Sequence, residues 1–161
     1  MKKLLVLIIF ISGAMLFYSF TDKAKGQPTS SALSDSLELD RIKYIKLVLA
    51  KIKGRENLPV DSVFHNLKIF KGMPAKNLLG IMNIAYSKSL GVSCGHCHNT
   101  NDFASDEKKE KDITRDMSAM NKRINEDLLK NIKGLQGSTA AINCTTCHRG
   151  EIKPALDIEE K

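Results

Sequence analysis

All four cysteines of the chain, and two of its four histidines, fall into one pattern that occurs twice. Cys94-Gly95-His96-Cys97-His98 and Cys144-Thr145-Thr146-Cys147-His148 both read Cys-x-x-Cys-His. Two thiols at this spacing on a tight turn can add to the two vinyl groups on one edge of a porphyrin. The histidine that follows then offers its imidazole to the iron as proximal ligand. The spacing predicts two haem c groups, attached through Cys94, Cys97, Cys144 and Cys147, with His98 and His148 as axial ligands to iron. Covalent attachment also fixes a cofactor in a protein too small to enclose it fully.

Other uses of these thiols compete with that reading. Two Cys-x-x-Cys pairs can form a four-thiolate zinc site. Here residues 98–143 separate the pairs, longer than the usual ribbon spacing, and zinc gives no reason for a histidine after each pair. Either pair alone could be a redox disulfide in an oxidising compartment. Neither alternative accounts for both histidines.

The sixth iron position is taken by Met or His in most cytochromes, and its occupant sets potential and reactivity. Met82 lies on the predicted helix leading into the first motif, and Met117 and Met120 on the one leading into the second. Periodicity alone does not separate an iron ligand from a flexible gap-filler in a core. His65 is the remaining histidine outside the motifs, better read as a loop residue than as a distal ligand. His96, between its two cysteines, is expected to point away from its own iron.

Helices must position these groups. Residues 35–53 form the first, with Asp35 and Glu38 as a capping box, apolar residues from Leu39 to Ile52 at helical spacing, and Gly54 as the stop. Residues 59–70 are short and mixed, and the alternation at Leu67 and Ile69 predicts an extended piece. Pro74 opens the second helix, which runs to about Leu90 before Gly91, with Leu78, Ile81, Met82, Ala85 and Ser89 on one face. Ser105 caps the third, with Asp106 and Glu107 in its first turn. The stripe Ile113, Met117, Met120, Ile124 and Leu128 gives it an apolar face, and the charged run 106–112 reads as its solvated side. Gly134 and Gly137 then break the chain before the second motif. Each half therefore repeats one order of parts: a Met-bearing amphipathic helix, a glycine break, and Cys-x-x-Cys-His.

Residues 1–26 read as an export segment: Lys2 and Lys3, then an uncharged run over residues 4–20. The segment is either a signal peptide cut ahead of Gln27, after Ala24 and Gly26, or a retained membrane anchor through residues 4–20. Both place the rest outside the cytoplasm, most simply in the periplasm. Residues 27–34 read as a linker, 35–150 as one dihaem domain and 151–161 as a charged tail. The formal charge of +7 includes +3 from residues 1–26 (Lys2, Lys3, Lys23 and Lys25 against Asp22), leaving +4 beyond Gly26. Four haem propionates would bring that to about zero. With no Arg-rich stripe or stacking aromatic array, nucleic acid is not a partner. The chain has no Trp, 6 Phe and 3 Tyr, so its own side chains supply little large aromatic mass for a core.

Beyond the two motifs, residues 66–150 resemble the cytochrome c subunit of photosynthetic reaction centres and its small relatives in non-photosynthetic bacteria. The matching text is Cys-His-Asn at 97–99, Asp-Phe-Ala-Ser-Asp-Glu-Lys at 102–108, Met-Ser-Ala-Met at 117–120, Ile-Asn at 124–125 and Cys-His-Arg-Gly at 147–150. The resemblance implies a helix along each haem plane that supplies Met from its body. On that plan Met82 matches the first axial Met, Met117 the second, and Met120 the one behind it. The chain departs from the family in two ways. It has two motifs where the resembled subunit carries four haems, so it is like one half. It also has no histidine around Lys130 and Asn131, where the family supplies one across to the other half. The first helix falls outside the match, and no photosynthetic partner is implied by these residues.

The expected protein is mainly α, a small multihaem c-type cytochrome with helices packed along the haem planes and little or no sheet. Two His/Met-ligated irons have full coordination spheres, which suits one-electron transfer with redox partner proteins rather than catalysis. A dihaem peroxidase-like enzyme, or a haem-based gas sensor, would need one open iron and is the alternative.

Overall fold

The computed structural model describes residues 30–157 apart from 136 and 138, so the export segment lies outside the described residues. Six helices follow in order among those residues: α1 (Ser30–Lys51), α2 (Val60–Val63), α3 (Ala75–Gly80), α4 (Cys94–Cys97), α5 (Lys109–Arg123) and α6 (Cys144–His148). Two of them change pitch and run on. α3 continues as a π-helical segment, Ile81–Lys88, and α5 as a π-helical segment, Ile124–Leu128, closed by a 3-10 turn, Leu129–Asn131. Among the described residues there is no strand, and one isolated antiparallel bridge joins Pro59 to Pro74. The mainly helical architecture is the expected one.

α1 begins at Ser30 rather than Asp35, which removes part of the expected linker and the expected capping box. The good helix formers Ala32, Leu33, Leu37 and Glu38 carry the helix through Asp35. This end packs on little: Leu33 and Leu39 are both exposed. Glu38 pairs instead with Arg41. Arg41 is buried, and its Nη1 donates to the Val92 carbonyl at 3.2 Å, fastening α1 to the turn before the first motif.

After Gly54 the chain makes a closed excursion. Val60 N–H donates to Met73 O at 2.8 Å and Ala75 N–H to Leu58 O at 2.9 Å, so residues 61–73 leave and return at one point. The small core sits beside that closure: Ile52, Val63 and Ala75, with Val48, Phe64 and Leu79 packed on it. The expected extended piece at 67–69 is absent. Asn66 and Phe70 adopt φ of 58° and 67°, which turns the backbone at both ends of that stretch. A left-handed Phe costs about 1–3 kcal/mol. Phe70 is held there with its ring 6.1 Å from that of Tyr86.

The second helix shows what period-3.6 reasoning misses. Pro74 is its N-cap, as its lack of an N–H suits, and the helix starts at Ala75. From Ile81 the i→i+5 hydrogen bonding widens each turn. The inward residues become Leu78, Met82, Tyr86 and Leu90, stepping by four, while Ile84 is exposed. Leu78 and Met82 keep their expected side. Ile81 and Ala85 give way to Asn83 and Tyr86.

α5 starts at Lys109, with Lys108 and not Ser105 at its N-cap. Ser105 is used earlier, its Oγ accepting from Glu107 N–H at 3.2 Å in a local turn. α6 is capped by Asn143, which exchanges hydrogen bonds with Thr146 in a capping box.

The two motifs meet through the end of the second helix. Ser89 O accepts from Gly150 N–H at 2.9 Å, and the Ser89 and Thr145 hydroxyls are 2.5 Å apart. Gly91 turns there with φ 64°, and a Cβ on it would lie 1.9 Å from the Gly150 carbonyl oxygen. Gly91→Ala should therefore destabilise the protein by about 1–3 kcal/mol. Thermal unfolding would show this as a Tm lowered by several degrees.

Candidate functional site

The first motif opens into a cavity of about 420 Å³. Ser93 is the N-cap of α4, and the following short helix places Cys94, Cys97 and His98 on the cavity wall. Met82, from the π-helical segment, lines the same cavity. The remaining wall is largely apolar, with Ile45 and Val48 from α1, Leu78 and Leu79 from α3, and Phe103. Such a space is of ligand size. His65 stands exposed at its rim, and His96 is not among its lining residues.

His98 is oriented by its surroundings. Its Nδ1 lies 3.1 Å from the Phe103 carbonyl oxygen and its ring 5.3 Å from the Phe103 ring. A carbonyl accepts only from the Nδ1–H tautomer, which leaves the Nε2 lone pair free for a metal. Burial, the largest influence, lowers the His98 pKa, and Lys111, Arg115 and Lys108 lower it further, which favours the neutral ligating form. His148 repeats the device, with Nδ1 3.0 Å from the Glu151 carbonyl oxygen in an exposed setting.

The surroundings of three of the thiols do not activate them as a redox pair. A reactive Cys-x-x-Cys needs a lowered thiol pKa. Here burial pushes up Cys94, Cys97 and Cys144. Nor do the four cysteines gather: among the described residues no three His, Cys, Asp or Glu side chains come together to hold a metal ion. The separation of the cysteines disfavours the four-thiolate zinc site, and the burial of Cys94, Cys97 and Cys144 disfavours the thiol redox centre.

The second motif is more open. Cys144 is half-buried and Cys147 exposed. Asn125 fastens the approach to this motif: its Oδ1 accepts from Ile142 N–H at 2.8 Å and its Nδ2 donates to Ile142 O at 2.9 Å, with Asn121 Nδ2 on the same carbonyl at 3.3 Å. Two asparagines four apart, poor helix formers on a helix, were the available sequence signal for this clamp. Met117 and Met120 stand exposed on α5, as do Ile113 and, on its π-helical continuation, Leu128, and neither Met lines the first cavity.

Tyr86 lies between the sites. It lines the first cavity, its hydroxyl is 2.6 Å from that of Ser118 on α5, and a charge on Cys144 would raise its pKa beyond the rise that burial imposes.

Sequence reasoning also missed an ion cluster over the first cavity. Asp106 meets Lys111 at 3.1 Å, Arg115 at 3.0 Å and Lys68 at 3.2 Å. Asn66 Nδ2 donates to Ala104 O at 2.6 Å, and Arg115 Nη2 to Asn66 O at 3.3 Å, which ties the excursion to α5. In sequence these charges look like any solvated helix face.

The residues fit a haem at the first motif. Two thiols, an oriented imidazole and a thioether share one apolar cavity, and Asn83 Oδ1, also on its wall, is buried without a hydrogen-bond partner. The second motif repeats the two thiols and an imidazole oriented by a carbonyl, and Ile113, Met117 and Met120 stand exposed on α5.

Comparison with known proteins agrees in kind. The family described as photosynthetic reaction centre cytochrome C subunit matches residues 23–158, so the match takes in α1, which the sequence reading left outside. Cytochrome c-554 of Chloroflexus aurantiacus is 35% identical over 83 residues, covering 52% of this chain and 20% of the relative. The photosynthetic reaction center cytochrome c subunit of Rubrivivax gelatinosus is 38% identical over 114 residues, covering 65% of this chain and 30% of the relative. The chain thus spans less than a third of either curated relative.

The Asp106 cluster has an acid signature. The Asn66 amide first, then Lys111, Lys68 and Arg115, hold its carboxyl well below the usual 3.8. A depressed folded pKa means that its stabilisation is complete above the unfolded value and is lost as pH falls through the folded one. Asp106→Asn should flatten the acid limb of a stability–pH curve below about pH 4, measured by denaturant unfolding at each pH.

Proposed function

The chain belongs to the photosynthetic reaction centre cytochrome c subunit family, and on that premise we propose that it is an exported carrier of single electrons with two covalent haems. The family is one of cytochromes c, proteins of electron transfer rather than enzymes. The observation that carries the finer reading is the shared cavity of Cys94, Cys97, His98 and Met82, with the His98 tautomer set for ligation through Nε2.

In this reading Cys94 and Cys97 hold the first haem by thioether bonds, and Cys144 and Cys147 the second. His98 and Met82 are the axial pair of the first iron, and His148 and Met117 of the second. Met117 is preferred to Met120 because it lies one turn from Asn121, whose side chain holds the approach to the second motif. The haems supply reversible one-electron chemistry at iron. The chain's own residues attach and orient them, set their potentials and exclude water from the first. Met ligation suits a raised potential and leaves no open position for a substrate, which weighs against the peroxidase-like and gas-sensing readings.

Its partners are redox proteins met outside the cytoplasm, in the periplasm for a cell with two membranes. A reaction centre is the partner named for one relative, and no residue described here selects it. Attachment to the membrane would run through residues 4–20, outside the described residues; no described helix is long and apolar enough to cross a membrane.

Ligation is tested by spectroscopy of the ferric holo-protein. Met82→Ala and Met117→Ala should each remove part of the weak red charge-transfer band of sulfur-bound iron and leave one haem able to bind carbon monoxide when reduced. Met120→Ala should leave the band unchanged. A Met120 variant that loses the band while Met117→Ala keeps it would reverse that assignment. Chain produced without haem attachment should show little cooperative unfolding, because cofactor binding and folding are coupled.

A further inference from the structure

The Phe103 carbonyl oxygen accepts twice. His98 Nδ1 lies 3.1 Å from it, and Lys111 Nζ 3.2 Å from it. Lys111 also donates to Ala104 O at 3.0 Å and Ser105 O at 2.8 Å, and it pairs with Asp106 at 3.1 Å. Its side chain is only 11% exposed, so water screens this charge weakly. We propose that Lys111, opposed by Asp106, raises the reduction potential of the haem at the first motif by competing with His98 for the Phe103 carbonyl. This rests on the reading of Cys94, Cys97 and His98 as a haem site.

Two effects act in one direction. An imidazole that donates strongly through Nδ1 becomes a better electron donor through Nε2, which favours ferric iron. A second, charged donor on the same oxygen weakens that bond and with it the donation. The ammonium charge also disfavours the oxidised state, which carries one more positive charge than the reduced one. The step concerned is the addition of one electron to ferric iron from a one-electron donor; no bond forms or breaks.

Other charges face the same place. Lys108 donates to Gly95 O inside the motif. Arg115 and Lys68 reach Asp106 and also Asp112. Asp106 is the anion in direct contact with Lys111, so it offsets the lysine. Loss of the lysine and loss of the aspartate therefore have opposite signs. His148 donates to the Glu151 carbonyl in an exposed setting, where water screens nearby charge.

The test is a spectroelectrochemical redox titration of the full-length holo-protein, with haem attachment at each motif checked by peptide mass spectrometry. Lys111→Met should lower one of two midpoints by about a tenfold change in the reduction equilibrium, about 59 mV for one electron. Asp106→Asn should raise the same midpoint, and Lys111→Arg should stay near wild type. NMR of the ferrous protein labelled with ¹⁵N-histidine supplies a readout that a merely structural role would not move. In Lys111→Met the His98 Nδ1–H resonance should shift downfield, as its bond to Phe103 strengthens, while that of His148 stays. Midpoints that do not move, that move the same way in both variants, or that move equally at both haems would overturn the proposal. If Lys111→Met takes up no haem, Asp106→Asn decides: a raised midpoint supports it, and an unchanged or lowered one overturns it. Wild-type protein without haem on Cys94 and Cys97 would fail at the mass-spectrometric step, overturning the haem reading and this proposal with it.

Discussion

Few apolar side chains are buried among the described residues, and the helices border a cavity at the first motif. The buried apolar side chains among the described residues are Ile52, Val60, Val63, Ala75, Leu78 and Val92, all ahead of the first motif and most of them at the closure of the 61–73 excursion. α1 and α3 present apolar walls to a cavity, Ile45 and Val48 from the one and Leu78 and Leu79 from the other, while α5 borders it with Lys111, Thr114 and Arg115. Burial of apolar surface is the main favourable term in folding. Walls of this kind are stable when an apolar group of matching breadth lies between them, and a porphyrin fixed at Cys94 and Cys97 is such a group.

Around that constraint the polar contacts set position. The π-helical segment after α3 is the shared wall. It presents Met82 and Tyr86 to the first cavity, and Ser89 beyond it bonds Thr145 in the second motif and Gly150 just after it. One element therefore fixes the relation between the two cysteine pairs. The wider π turn matters here, because a period of four keeps Leu78, Met82, Tyr86 and Leu90 on one side for the length of the cavity, where a 3.6-residue turn would rotate them away. Each motif histidine is set by a carbonyl close after it in the chain, Phe103 for His98 and Glu151 for His148, so the tautomer is a local property of each loop.

The chemistry was legible in the sequence to the extent that it is local. Cys-x-x-Cys-His is a contiguous pattern, and its reading needs no tertiary knowledge. The order of helix and motif made Met82 a candidate, the family resemblance singled it out, and the structure places it on the cavity wall. Three things were not legible, each for a physical reason. The inward face of the second helix depends on its pitch, and nothing in Ile81 to Lys88 announces a π-helix, so Asn83 and Tyr86 were missed. The starts of α1 and α5 were misplaced because Asp35 and Ser105 are good caps by type, while helix propensity carried α1 through one and a local turn engaged the other. The Asp106 cluster joins residues far apart in sequence, Asn66 and Lys68 to Lys111 and Arg115, and charge patterning along one helix cannot show that.

The central claim is that both cysteine pairs carry haem. The direct measurement is a pyridine haemochrome determination of haem per chain, combined with mass spectrometry of haem-bearing peptides, on protein made in cells with haem-attachment machinery. The account predicts two haems per chain, one on the peptide containing Cys94 and Cys97 and one on that containing Cys144 and Cys147. A chain with no covalent haem, or with haem on one pair only, would contradict it.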